Sequence, residues 1–314
     1  MKILFAGTPD IAVPALQQLH EQFEVTGVLT APDAASGRSR ALQPPPVKRR
    51  AVELGLTVLQ PQRLDADARR RVAAGAPQVL VCVAYGKIFG PRFLQLFPSG
   101  GINVHPSLLP RHRGPSPIPA AILAGDRETG ITVQQLAPEM DSGDILRQIR
   151  FPLDGSETSA TLGKRAAVEG ALLLAETLHD MQRGALEPQP QDHSQATYCS
   201  LIAPDDAEIG WHQPLEQIER MVRAYNPWPG AYTFLHGTRL TIHEARPLPG
   251  ESSGHVAGTV VAVDKRRGIL VQTVSGLLAV RRLQLQSRSA IDWKSFANGY
   301  RNIIGTVLGG RPHS

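Results

Sequence analysis

Two short runs without polar alternation set the fold class. Lys2–Ala6 (Lys-Ile-Leu-Phe-Ala) and Gln78–Ala84 (Gln-Val-Leu-Val-Cys-Val-Ala) are apolar on every residue after the first. Successive side chains of a strand leave opposite faces, so a strand that is apolar throughout must be covered on both sides. Strand-like runs at Glu24–Thr30 and Thr57–Leu59 alternate with helical patterns over Ile11–His20, Val47–Leu54 and Ala66–Ala74. This alternation predicts βαβ units and a Rossmann-like, mostly parallel sheet in an α/β domain. Its strands' C-terminal ends gather along one edge, where sites in open sheets lie. The first turn, Phe5-Ala6-Gly7-Thr8-Pro9, has one glycine where a dinucleotide fingerprint needs three, and reads as a tight turn.

From Gly100 the pattern changes. A short strand enters the loop His-Pro-Ser-Leu-Leu-Pro; then come a helix over Ile118–Ala124, a strand over Gly130–Leu136, the loop Ala137–Asp144 and a strand over Ile145–Phe151. Ser156 or Thr158 caps a long helix that stops at Gly184. Glu187–Gln195 is polar and proline-bearing, as a linker would be. Beyond it a short helix precedes five β-type runs, at Ala231–Leu235, Leu240–His243, Thr259–Val263, Ile269–Thr273 and Leu277–Leu283. Runs of this length and spacing predict an OB-like β-barrel. The expected division is a catalytic domain over 1–186, a linker over 187–206 and an OB-like domain over 207–314.

Charge separates the same parts. The 314 residues hold 33 Lys and Arg against 28 Asp and Glu, a net +5, but residues 211–314 alone hold 13 against 6, leaving −2 for the rest. A basic barrel fits a polyanion, with Arg266, Arg267 and Arg281, beside Arg282, Arg288 and Lys294, as candidate phosphate contacts. Residues 31–44 are too polar and too rich in Gly and Pro for a stable element, yet carry Arg38 and Arg40 directly after a sheet strand, with Lys48 behind them. Scattered charges are commonly only solvated; nearness to the presumed site edge is what favours a phosphate here. Two cysteines, Cys82 and Cys199, are too few for a disulfide framework and lack zinc spacing, so a reducing, cytoplasmic compartment is expected. No leader and no membrane anchor are expected either, because no apolar run approaches the ~18 residues of a span.

Asn103 and His105 stand two apart on a strand, so both side chains leave one face. If the loop of Asp141 opens at the same C-terminal edge, an amide, an imidazole and a carboxylate meet. Acyl transfer to an amine needs donors aimed at a developing oxyanion and a group that moves protons from the amine to the leaving nitrogen. Asn103 can donate, His105 can donate or shuttle, and Asp141 can orient the imidazole or accept a proton. The plainer reading is a capping Asn, a structural His and a turn Asp. A metal site is poorer still, since the trio offers no third strong ligand. By spacing alone both the catalytic and the plainer reading stay open.

The motifs Asn103-Val104-His105-Pro106-Ser107-Leu108-Leu109-Pro110-Arg111, Arg113-Gly114, Gly125-Asp126-x-x-Thr129-Gly130 and Met140-Asp141-Ser142-Gly143-Asp144 follow one another in order. The chain thereby resembles the 10-formyltetrahydrofolate-dependent formyltransferase family. Phe5–Pro9, Pro44-Pro45-Pro46-Val47-Lys48, Arg223–Pro229 and Gly258–Ile269 extend the resemblance, over the whole chain, to its methionyl-tRNA branch. The resemblance implies Asn103, His105 and Asp141 as catalytic residues, Ser107, Leu108, Leu109 and Pro110 as the loop along the folate, and Tyr85 as a wall of the pterin pocket. It implies 10-formyltetrahydrofolate as formyl donor with no metal, and initiator methionyl-tRNA as acceptor, met by Arg38, Arg40, Lys48 and the barrel cations. A monomer suffices, with one site per chain. Departures from the family pattern are Pro106, Ser142, His112 and Cys199-Ser200-Leu201, none of which removes a catalytic residue. A formyltransferase for an amino-sugar nucleotide or glycinamide ribonucleotide, and an inactive folate- or RNA-binding module, are the alternatives that the basic barrel and the intact trio argue against.

Overall fold

The computed structural model of the chain describes residues 1–36 and 41–310; Arg38 and Arg40 lie outside the described residues. Two compact units form. The first takes Met1–Pro117, Glu128–Pro152 and Gly163–Cys199, and the second Ile118–Arg127, Leu153–Leu162 and the chain from Ser200 onward.

In order along the chain come β1 (Lys2–Gly7), α1 (Val13–Gln22), β2 (Glu24–Leu29), β3 (Ala34–Ser36), β4 (Ala41–Gln43), α2 (Pro46–Glu53), β5 (Val58–Leu59), α3 (Ala66–Ala73) and β6 (Val79–Val83). After these come α4 (Pro91–Leu94), β7 (Gly101–His105), α5 (Pro117–Ala124), β8 (Glu128–Gln135), β9 (Ile145–Pro152) and α6 (Ser159–Arg183). The sheet runs β5-β2-β1-β6-β7-β8-β9. Its first five strands are parallel, and β8 and β9 complete it antiparallel. All five residues of β6 and the last five described for β1 are buried, as their uninterrupted apolar runs require. Strand order reverses between β1 and β6, which opens a crevice beyond their C-terminal ends. Tyr85 sits there. Gly7 is forced by the close approach: a Cβ on it would lie 2.9 Å from the Val83 carbonyl oxygen.

Two expectations are corrected. Within residues 31–44, β3 and β4 pair as a short antiparallel ladder, Ala34 with Gln43 and Ala35 with Leu42. Backbone pairing supplies what the apolar pattern lacks. The second concerns Asp141: because β8 is antiparallel to β7, its end at Gln135 pairs with Ile102 at the start of β7, so the 137–144 loop leaves at the opposite edge from the one expected.

In the second unit, α7 (Leu215–Ala224) precedes β10 (Tyr232–Leu235), β11 (Thr238–Pro249), β12 (Val260–Asp264), β13 (Gly268–Gln272), β14 (Gly276–Leu285), β15 (Ile291–Asp292) and α8 (Trp293–Gly299). The OB-like antiparallel sheet runs β10-β11-β14-β13-β12, with β15 paired to β14. Leu215, Ile218 and Val222 put one face of α7 into a core with Ile242, Val271, Leu278, Val280 and Phe296. β11 runs twelve residues, well past its apolar start, because its polar second half pairs with β14.

Candidate active site

The site is built on one face of the sheet in the first unit. Asn103 pairs with Gln134 and His105 with Thr132 across β7 and β8, so these four side chains share a face. The 137–144 loop doubles back over that face. Asp141 takes a left-handed conformation (φ 51°), which Asp tolerates better than most residues. A Cβ on Gly143 would stand 1.9 Å from the Gln135 carbonyl oxygen, so the return is possible only with glycine there.

Three donors converge on the Asp141 carboxylate. Gln134 Nε2 donates to Oδ1 at 2.9 Å, the Gly114 amide to Oδ2 at 2.8 Å, and Asn103 Nδ2 to Oδ1 at 3.5 Å. Gly114 has a φ of 117°, and a Cβ on it would lie 2.2 Å from the Cys199 carbonyl oxygen, so no other residue presents this amide. His105 is 4% exposed. Its Nε2 lies 2.9 Å from the His112 carbonyl oxygen, and its Nδ1 lies 3.6 Å from Asp141 Oδ1. A carbonyl only accepts, so Nε2 carries a proton, and Nδ1 is the nitrogen open to proton transfer. Asn103, His105 and Asp141 are therefore brought together, through a loop path the sequence did not suggest.

Burial holds His105 below the ordinary imidazole range, while the Asp141 carboxylate and the His112 carbonyl pull the other way. The unfolded chain thus binds this proton more tightly than the folded one. Stability contributed by neutral His105 is complete above the unfolded value of 6.5 and is lost as pH falls toward the lower folded value. Replacing His105 by Gln is expected to flatten urea midpoints between pH 7.5 and 5.5, by a component of at most about 1.4 kcal/mol per pH unit. Equal pH slopes in the two proteins would contradict this.

The loop after His105 is tied down from inside. Ser107 Oγ donates to the Arg111 carbonyl at 2.7 Å, and Thr132 Oγ1 bonds both the Ser107 carbonyl and the Leu109 amide. Ser107, Leu108 and Leu109 are buried, while Pro110 is half-buried. Tyr85 is buried in an apolar cluster and stacks on Phe89 at 5.5 Å. Among the described residues its buried hydroxyl has no partner, and burial pushes it up to about 12, so it stays a neutral donor.

Sequence reasoning missed Gln134, Gln191 and the Gly114 amide. Gln134 reads as an ordinary strand position. Gln191 belongs to the polar stretch read as a linker, yet it is buried against Asp141, Gly143, Gln134 and Arg113. Pro188 and the absence of an apolar period hid it.

The basic residues fare unevenly. Lys48 Nζ is held by Asp33 at 2.7 Å, with Gln60 on the same carboxylate. Arg267 pairs with Glu251 at 2.7 Å and Asp264 at 3.2 Å, and Arg281 lies 3.7 Å from Glu244. Arg266 is exposed and, among the described residues, makes no ion pair. Among the described residues no helix is long and apolar enough to cross a membrane, and no group of three His, Cys, Asp or Glu is placed to hold a metal.

Comparison with known proteins agrees with this architecture. The Formyl transferase model matches residues 1–178 and the Formyl transferase, C-terminal domain model residues 201–301. A methionyl-tRNA formyltransferase of Treponema denticola is 45% identical, covering 97% of this chain and 98% of that protein. One of Treponema pallidum is 46% identical, covering 98% and 99%. In fold, the chain is similar to a methionyl-tRNA formyltransferase from Clostridium thermocellum, with TM-score 0.55 and 20% identity over 88% of this chain and all (100%) of that one. With both domain models matched and near-half identity sustained from end to end, the chain belongs to the formyl transferase family, among its methionyl-tRNA formyltransferases.

Proposed function

We propose that the protein moves the formyl group of 10-formyltetrahydrofolate to the α-amino group of methionine on initiator methionyl-tRNA, as a cytoplasmic monomer, giving the formylated initiator for translation. The constellation of Asn103, His105 and Asp141 on one sheet face carries the reading. The folate supplies the formyl group as an activated amide. The residues present fit it: strand order reverses between β1 and β6, where open sheets bind their ligands, and Tyr85, just beyond β6, has a buried hydroxyl that among the described residues lacks a partner and could donate to a heteroaromatic ring. Tyr85 would hold that ring and the Ser107–Pro110 loop would lie along it.

Asn103 Nδ2 donates to the formyl oxygen as negative charge develops there. His105 has its Nε2 proton committed to the His112 carbonyl, so it takes the proton shed by the attacking amine at Nδ1. The resulting imidazolium lies beside the Asp141 carboxylate, which stabilises it until the proton passes to the departing nitrogen. No Ser or Cys nucleophile is needed. The tRNA meets Arg38, Arg40 and Lys48 in the first unit and Arg266, Arg267 and Arg281 on the OB-like sheet. This assigns residues 1–186, with the buried Gln191 beyond them, to catalysis and 207–314 to tRNA binding.

The test is formylation of methionyl-tRNA by the purified chain, with an amino-sugar nucleotide as competing acceptor. We expect product on tRNA alone. Each phosphate contact adds a term of about −0.9 to the slope of log affinity against log salt, so KM for tRNA should rise steeply between 50 and 200 mM salt while KM for folate changes little. A salt-independent KM for tRNA would remove the proposed phosphate contacts.

A further inference from the structure

Among the described residues Arg113 is the largest fully buried side chain, at 1% exposure, and no carboxylate pairs with it. An unpaired buried charge is costly, so its surroundings must answer it. They are neutral. Nε and Nη2 donate to Gln191 Oε1 at 3.1 and 2.7 Å, Nη1 donates to the Tyr198 hydroxyl at 3.2 Å, and Nη2 lies 3.0 Å from His193 Nδ1.

The orientation of the amides beyond it is not free. A guanidinium only donates, so Gln191 must turn Oε1 to Arg113 and Nε2 away. That Nε2 meets the Asp141 carbonyl at 2.9 Å, the Gly143 carbonyl at 2.7 Å and Gln134 Oε1 at 3.2 Å. A carboxylate only accepts, so Gln134 must turn its Nε2 to Asp141 Oδ1, at 2.9 Å. Both ends fix the same direction. The next amide after Arg113, that of Gly114, reaches the other carboxylate oxygen.

We propose that Arg113, Gln191 and Gln134 form a directed hydrogen-bond relay, oriented by the buried guanidinium and ending on the Asp141 carboxylate, that holds the left-handed turn of Asp141, with Gln191 as a positioning residue for the formyl transfer. The proposal rests on reading Asp141 as catalytic. Gln191 touches neither reacting group; it holds the carbonyls on both sides of Ser142, which is what keeps the carboxylate aimed at His105 and Asn103.

The experiment compares Gln191→Ala, Gln191→Glu and Asp141→Asn, with Gln191→Ala also made in the Asp141→Asn background. A displaced catalytic group loses on the order of 10²-fold, so Gln191→Ala should lower kcat about 10- to 100-fold with KM for folate and tRNA nearly unchanged. Gln191→Glu separates the relay from simple charge burial. It gives Arg113 a direct counter-ion but cannot donate to the three acceptors, so the thermal midpoint should be at least that of Gln191→Ala while kcat is no better. In the Asp141→Asn background, Gln191→Ala should have almost no further effect on residual turnover. Near-normal kcat in Gln191→Glu, or a full additive loss in the double variant, would overturn the relay while leaving the role of Asp141 standing. Normal kcat in Asp141→Asn would overturn that role, and the relay with it.

Discussion

Replacing Asp141 by Asn is expected to lower kcat by about 10³-fold, within the range that a positioned proton-transfer group supplies. The change is nearly isosteric and keeps the fold. What it removes is the charge that stabilises protonated His105, 3.6 Å away, and the acceptor capacity of one oxygen. Both carboxylate oxygens already accept, Oδ1 from Gln134 and Oδ2 from Gly114. An amide nitrogen in either place must face a donor, and Gln134 cannot turn over without losing its bond from Gln191. The stability cost should therefore be that of one disrupted buried hydrogen bond, about 1–3 kcal/mol. Turnover and a urea midpoint measured on the same preparation separate the two effects. A variant that keeps kcat within tenfold of the parent would exclude Asp141 from proton transfer.

How the sequence reads this site follows from which features have a period. The strands β1 and β6 were legible because burial on both faces leaves an unbroken apolar run. Asn103 and His105 share one face, as the period-two alternation of strand side chains predicts. Strand direction has no such signature. Gly130–Leu136 reads alike whether parallel or antiparallel, so the edge at which the Asp141 loop leaves is not legible in the sequence. Gln191 and Arg113 are polar residues in polar surroundings by sequence, and only their packing against each other reveals that both are buried. Lys48 shows the reverse. It stands in a basic cluster, but Asp33, fifteen residues earlier, holds it, and no spacing rule connects the two.

Asn103→Ala should lower kcat about 10²- to 10³-fold, the loss typical of removing one oxyanion donor, with KM for either substrate little changed. Asn103 is half-buried and, among the described residues, makes one long side-chain bond, 3.5 Å to Asp141, so the folded state gives up little when it is truncated. Its value lies in a hydrogen that the resting site leaves largely unspent. The amide is fixed by β7 between its neighbours Cys82 on β6 and Gln134 on β8, so it need not reorganise when charge appears on the formyl oxygen. Asn103→Asp should be worse than Asn103→Ala, because it removes the donor and places a second carboxylate against Asp141 Oδ1 and His105. The order of kcat, parent above Ala above Asp, distinguishes donation from mere space-filling. If Asp equals Ala, the charge of the site does not reach position 103, and if Ala equals the parent, the developing oxyanion is held elsewhere.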